Sequence, residues 1–131
     1  MNYLLDTNAC IALINGAPGS VRLRLEEALQ GGAEVFVPCV AAYELWYGVA
    51  KSGSPEKNAK RVEAFFAGPV ALLPFEDEDA RAALETVGKP IGAYDLLIAG
   101  QAVRRNLTLV TSNAREFGRI KGLAWEDWGR E

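Results

Sequence analysis

The chain predicts an α/β fold in which a parallel sheet lies between helical layers. Short apolar runs recur along it, at Tyr3-Leu4-Leu5, Val35-Phe36-Val37, Val70–Leu73 and Leu107–Val110. Each is the length of a buried strand. The longer segments between them carry helical spacing, two to an interval, so the order reads βααβααβααβ. Two of the runs end in polar triplets, Asp6-Thr7-Asn8 and Thr111-Ser112-Asn113. In open α/β sheets, ligands collect at the carboxyl ends of strands.

The first run delivers Asp6 to such an end, and Thr7 or Asn8 can cap the helix that follows through Asn15. Asp is itself a favoured N-cap residue, so this stretch alone leaves Asp6 either a cap or a site acid. Ala17-Pro18-Gly19-Ser20 reads as a loop, and Val21–Leu29 as an amphipathic helix ended by Gly31-Gly32. Its charges Arg22, Arg24, Glu26 and Glu27 form a solvated face. A second strand over Glu34–Val37 stops at Pro38. Val40–Lys51 is then a helix ended by Ser52-Gly53.

Within that helix Glu44 stands among Val40, Tyr43, Leu45, Trp46 and Tyr47, a setting that predicts burial. Acids are almost never buried without a partner, and the local sequence offers none. A metal or catalytic role accounts for such an acid, as does a structural ion pair. Gly48, a poor helix former, reads as a point of close packing.

Pro55 opens the next helix at its first position, with Lys57, Lys60 and Arg61 outward and Val62, Phe65 and Phe66 inward. After the third strand, Glu76-Asp77-Glu78-Asp79 reads as the acidic first turn favoured by the helix dipole, solvated rather than a metal cluster. Ala93–Arg105 forms another helix with Asp95 one turn in, embedded in the apolar Leu96-Leu97-Ile98-Ala99 run. Beyond the fourth strand, Asn113 and Glu116 have capping-box spacing. Leu123-Ala124-Trp125 suits an edge strand, with Trp128 over the core. With 131 residues and no repeat or linker, the expectation is one domain over 1–131.

Composition narrows the chemistry. The net charge is −3, so there is no overall basic footprint for nucleic acid, although a metal-dependent nuclease site must itself be acidic. The chain has no histidine, which removes Ser-His-Asp and Cys-His nucleophiles, histidine bases and histidine-ligated zinc. Cys10 and Cys39 form no CxxC pair and read as buried free thiols suited to a reducing cytosol. No segment reads as a membrane span or signal peptide. The expected location is cytoplasmic.

Three isolated acids in apolar surroundings, Asp6, Glu44 and Asp95, are expected to converge at the carboxyl edge of the sheet. Like charges that close cannot all stay ionised without a cation. An all-oxygen set points to Mg²⁺, with Mn²⁺ as a substitute. Such ions hold phosphate oxygens and activate water, which makes a phosphodiesterase that needs no nucleophilic side chain.

Four ordered motifs, Leu-Leu-Asp-Thr-Asn, Tyr-Glu-Leu-Trp-Tyr-Gly, Pro-Ile-Gly-Ala-Tyr-Asp-Leu-Leu-Ile-Ala-Gly-Gln-Ala and Leu-Val-Thr-Ser-Asn-Ala-Arg-Glu-Phe, resemble those of PIN-domain ribonucleases. The likeness is greatest to VapC-type toxins of bacterial toxin–antitoxin modules and covers nearly the whole chain. It implies a PIN-like three-layer sandwich with a five-stranded parallel sheet and Mg²⁺-dependent RNA cleavage. It also implies a homodimer and a small VapB-like antitoxin. By motif position Asp6, Glu44 and Asp95 match the family's core acids and metal ligands. Thr111 and Asn113 match the fourth motif, making Asn113 a fourth candidate catalytic residue, with Thr7, Thr111, Arg115 and Glu116 as accessory candidates.

Two features depart from the pattern. Asn113 stands where many PIN domains carry a fourth acid, with Glu116 as a substitute. The stretch from Arg81 to Lys89 is shorter than in relatives. Candidate contacts to the RNA backbone are Lys51, Arg104, Arg105, Arg119, Lys121 and above all Arg115, beside Asn113. Apolar clefts among the first four helices suit an amphipathic antitoxin segment. The competing reading is a catalytically weak PIN-fold module that binds an antitoxin in an operator-binding complex. A small phosphohydrolase or phospho-receiver is a third class, but Asp6 lacks the neighbouring acid those sites use.

Overall fold

The computed structural model describes residues 1–85 and 91–130. The chain order is β1 (Tyr3–Leu5), α1 (Thr7–Asn15), α2 (Gly19–Gln30), β2 (Val35–Pro38), α3 (Cys39–Lys51), α4 (Pro55–Phe66) and β3 (Ala71–Leu73). It continues with α5 (Asp77–Leu84), α6 (Ala93–Arg104), β4 (Thr108–Val110), α7 (Ala114–Phe117) and β5 (Trp125–Glu126). The strands form one sheet in the order β3-β2-β1-β4-β5, every pair parallel. The predicted parallel α/β sandwich is therefore the observed architecture.

Side chains of a strand alternate between faces, and this sorts the core into two layers. Leu5, Val35, Val37 and Val110 face Cys10 and Leu13 of α1, Leu25 of α2, Leu45 of α3 and Val62 of α4. Leu4, Leu73 and Leu109 face the other way, against Ile98, Ala99 and Ala102 of α6 and Phe117 of α7. Trp128 closes the first layer, edge-on to Tyr3 with ring centroids 5.1 Å apart. Helix α1 ends at Gly16, whose left-handed φ of 73° lets its N–H reach the Ala12 carbonyl.

The acidic first turn of α5 departs from the sequence reading. Asp79 is fully buried, not solvated. Its carboxylate accepts from Arg104 Nη1 at 2.8 Å, Arg105 Nη2 at 3.1 Å, Gln101 Nε2 at 3.3 Å and the Glu76 amide at 2.8 Å. Burial alone would raise its pKa. The Arg105 guanidinium, the Glu76 amide and Arg104 outweigh that and hold the carboxyl below its ordinary value. Arg104 and Arg105, read from sequence as RNA contacts, are thus committed to Glu76 and Asp79.

Close approach of α5 to α6 occurs at Gly100, where an added Cβ would lie 2.6 Å from the Ala83 nitrogen. Gly48 is no such point, for it faces open space. Residues 86–90, within or beside the stretch read as short, lie outside the described residues.

Candidate active site

The sheet order places β1 between β2 and β4, so the chain leaves β1 toward one side and later returns on the other. A crevice opens at such a switch point, outside the strands' carboxyl ends. The register Leu5↔Val110 sets Asp6 and Thr111 side by side at its mouth. The Asp6 amide still donates to the Val110 carbonyl at 3.0 Å, which pins the residue to the sheet edge.

Asp6 takes the capping role that its sequence allowed, and its carboxyl is buried at the mouth of the crevice. It is the N-cap of α1, with Oδ1 accepting from the Ala9 amide at 2.8 Å, and it is only 4 % exposed at the crevice. The Thr111 hydroxyl also hydrogen-bonds its carboxylate and accepts from the Asn113 amide at 2.9 Å. Thr7 does not cap the helix. Its Oγ1 donates to Glu44 Oε1 at 2.6 Å, tying α1 to α3. Asp95 enters from the first turn of α6, half-buried.

These acids act on one another. Burial raises the Asp6 carboxyl; Thr111 and the Ala9 amide offset part of the rise, while Glu44 and Asp127 add to it. Asp95 is pushed up to about 6, by burial first and then by Glu44, Asp6 and Glu116. Among the described residues, the leading charges that act on either carboxyl are those of other acids.

Asp6, Glu44, Asp95 and Glu116 are therefore brought into one electrostatic neighbourhood. Among the described residues, however, no three acids stand close enough to close around one ion. The expected convergence is one of field rather than of a closed cage. The donor set still fits a hard divalent cation, since it is all carboxylate oxygen and the acids in it raise one another's charge cost.

Glu44 is not deeply buried. The inner face of α3 is Ala41 and Leu45, whereas Tyr43, Trp46 and Tyr47 are exposed, so the apolar residues around Glu44 do not cover it. Asn113 precedes α7 but its side chain caps nothing, so the capping box with Glu116 does not form. Arg115 is exposed and makes no ion pair with any described residue. Sequence reasoning passed over Asp127, which adds to the field on Asp6. It follows β5 directly, as Asp6 follows β1, so the same strand-end rule marks it.

Residues 3–123 match the PIN domain family model. The chain is 40 % identical over 137 positions to the tRNA(fMet)-specific endonuclease VapC of Shigella flexneri, covering 98 % of each protein. It is 37 % identical to the ribonuclease VapC2 of Rickettsia felis, covering 99 % of this chain and all of that one. Its fold is similar to the crystal structure of VapBC2 from Rickettsia felis bound to a DNA fragment from their promoter. The TM-score there is 0.88 at 35 % identity, over 98 % of this chain and 99 % of that one. A similar match is the DNA-bound VapBC of Salmonella typhimurium, with a TM-score of 0.86 at 36 % identity over 98 % of both chains. No helix among the described residues is long and apolar enough to cross a membrane. By the match over residues 3–123 and the identity along nearly its full length, the chain belongs to the PIN domain family and, within it, to the VapC group.

Proposed function

We propose that residues 1–131 act as one PIN-like domain, a divalent-metal-dependent endoribonuclease serving as the toxin of a toxin–antitoxin pair in the cytoplasm. The observation that carries this is the gathering of mutually repelling acids at the sheet's switch point, with Asp95 lifted to about 6. Near full-length similarity to VapC ribonucleases supplies the substrate class.

Mg²⁺ or Mn²⁺ would draw its protein ligands from Asp6, Glu44 and Asp95, with Asn113 and Glu116 as further candidates. It would rely on water and substrate phosphate for the rest, because the three acids do not close around one ion by themselves. The cation supplies Lewis acidity toward a phosphodiester and acidifies water. The chain itself holds the carboxylates in place. The Ala9 amide and the Thr111 hydroxyl fix Asp6, and Thr7 fixes one oxygen of Glu44. Pre-set ligands need not reorganise as charge develops. Arg115, exposed and without an ion pair to any described residue, would meet backbone phosphate in this reading.

The partner reading has its own support. A cavity of about 340 Å³ opens among α1, α2 and α4, lined by Leu13, Leu25, Leu29 and Phe65 with Arg22 and Arg61 at its rim. It suits the apolar face of an antitoxin helix. Solved relatives are toxin–antitoxin complexes on DNA, which supports a VapB-like partner and an operator-bound assembly. A homodimer belongs to the same reading.

The test is cleavage of cellular RNA by the purified chain, with Mg²⁺, with EDTA and with the operon's antitoxin added back. Metal-dependent cutting that the antitoxin abolishes is the expected result. Cutting that EDTA leaves intact would overturn the metal assignment, and no cutting under any condition would favour the interaction module.

A further inference from the structure

We propose that Tyr43, Tyr47 and Tyr94 form a platform on which a base of single-stranded RNA stacks beside the acid site. The inference rests on the ribonuclease reading and names how that site grips its substrate. Two of the helix-borne acids have a tyrosine as their chain neighbour: Tyr43 precedes Glu44, and Tyr94 precedes Asp95. Tyr47 stands one turn beyond Tyr43 on α3, on the same face. All three rings are about half exposed, at 54, 53 and 46 % for Tyr43, Tyr47 and Tyr94. With Glu44 they line a shallow cleft of about 410 Å³.

The rings hold one another. Tyr43 and Tyr47 lie with centroids 6.1 Å apart, and Tyr94 meets Tyr43 edge-on at 5.8 Å. A pre-ordered ring surface binds a flat partner at little cost in side-chain entropy. Beyond Tyr47 the exposed Lys51 places Nζ 5.6 Å from the ring centroid, free of any ion pair with a described residue. From the acids outward the surface therefore runs carboxylate, aromatic rings, cation. That sequence matches a single strand: a phosphate at the acid site, its base on the rings, the next phosphate at Lys51.

The same surface is a poor seat for an apolar protein face. Glu44 forms part of the cleft wall, and such a face closing over it would strip water from an acid that makes no ion pair with a described residue. RNA instead arrives at that acid with cations. Stacking reads the face shared by all bases, so the platform sets affinity and not sequence.

The experiment compares wild type with Tyr47→Phe, Tyr47→Leu, Tyr94→Phe and Tyr94→Leu in Mg²⁺-dependent cleavage of a single-stranded RNA oligonucleotide. Sedimentation of each RNA-free protein and crosslinking of the same oligonucleotide carrying 4-thiouridine accompany it. The Phe variants should match wild type. The Leu variants should raise KM about five- to a hundredfold with kcat unchanged, the fold-change expected for loss of one stacked base. Crosslinks should map to Tyr43, Tyr47 or Tyr94. If wild type cuts and the Leu variants keep its KM, the platform falls while the ribonuclease reading stands. If the Leu variants change the oligomeric state, the face is a protein interface and the platform falls. If wild type cuts no RNA, both readings fall together.

Discussion

Thr7 and Glu44 lie 37 positions apart, and the 2.6 Å bond between their side chains decides where one carboxylate oxygen points. Thr7→Val keeps the shape and removes the donor. Partners that orient a metal-binding group typically matter about 10- to 100-fold. RNA cleavage by Thr7→Val should fall by about that factor with an unchanged melting temperature, whereas Thr7→Ser should retain most activity; kinetics on both variants check this. Asp95 offers a second measurement at this scale. Its carboxyl sits near 6 when folded against 3.8 ordinarily, so the folded protein disfavours the charged form. The penalty is complete above about pH 6 and vanishes below about pH 4, where Asp95 is protonated whether folded or not. Asp95→Asn should therefore abolish cleavage and yet stabilise the metal-free protein at pH 7. The gain should be about 1–2 kcal/mol, reduced from the full shift because solvent reaches the group. Denaturant melts at pH 7 and pH 4 in EDTA read it, and equal gains at both pH values would refute the assignment.

At the scale of elements, α5 is held to α6 by one buried carboxylate. Asp79→Ala would strand Arg104 and Arg105 and free the Glu76 amide. The expected loss is about 2–3 kcal/mol, less than for a fully buried pair because both guanidiniums keep some solvent. Wild type should in turn lose this contribution as pH falls below about 3.8, since the carboxyl is held low in the fold. Urea melts of the variant, followed against pH, measure both. The sequence could not announce this ion cluster, because its partners lie 25 and 26 positions away and a run of four acids looks the same solvated or paired. The strands were legible for the opposite reason. Tyr3-Leu4-Leu5 and Leu107–Val110 are apolar runs too short for any other buried element, and Asp6 and Thr111 follow them directly. On α3 the pattern misled. Tyr43, Trp46 and Tyr47 count as apolar residues in any periodicity, but the face turned to the sheet is only as wide as Ala41 and Leu45 need. Exposed aromatics and buried ones are written with the same letters.

At the scale of the whole molecule, the central place of β1 governs when the site can exist. Asp6 is made near the beginning of synthesis, yet the strand that carries it lies between β2 and β4, whose residues run from 35 to 38 and from 108 to 110. Pairings of such long sequence separation form late, because the intervening loop must first be closed. Asp95 comes just before β4, and Thr111 and Asp127 arrive later still. A chain still on the ribosome thus carries the first acid of the proposed nuclease without the segments that complete its crevice. A prematurely terminated product would be harmless to the cell that made it. Translation time becomes a grace period, in which a partner of the proposed kind can be at hand before there is any activity to inhibit.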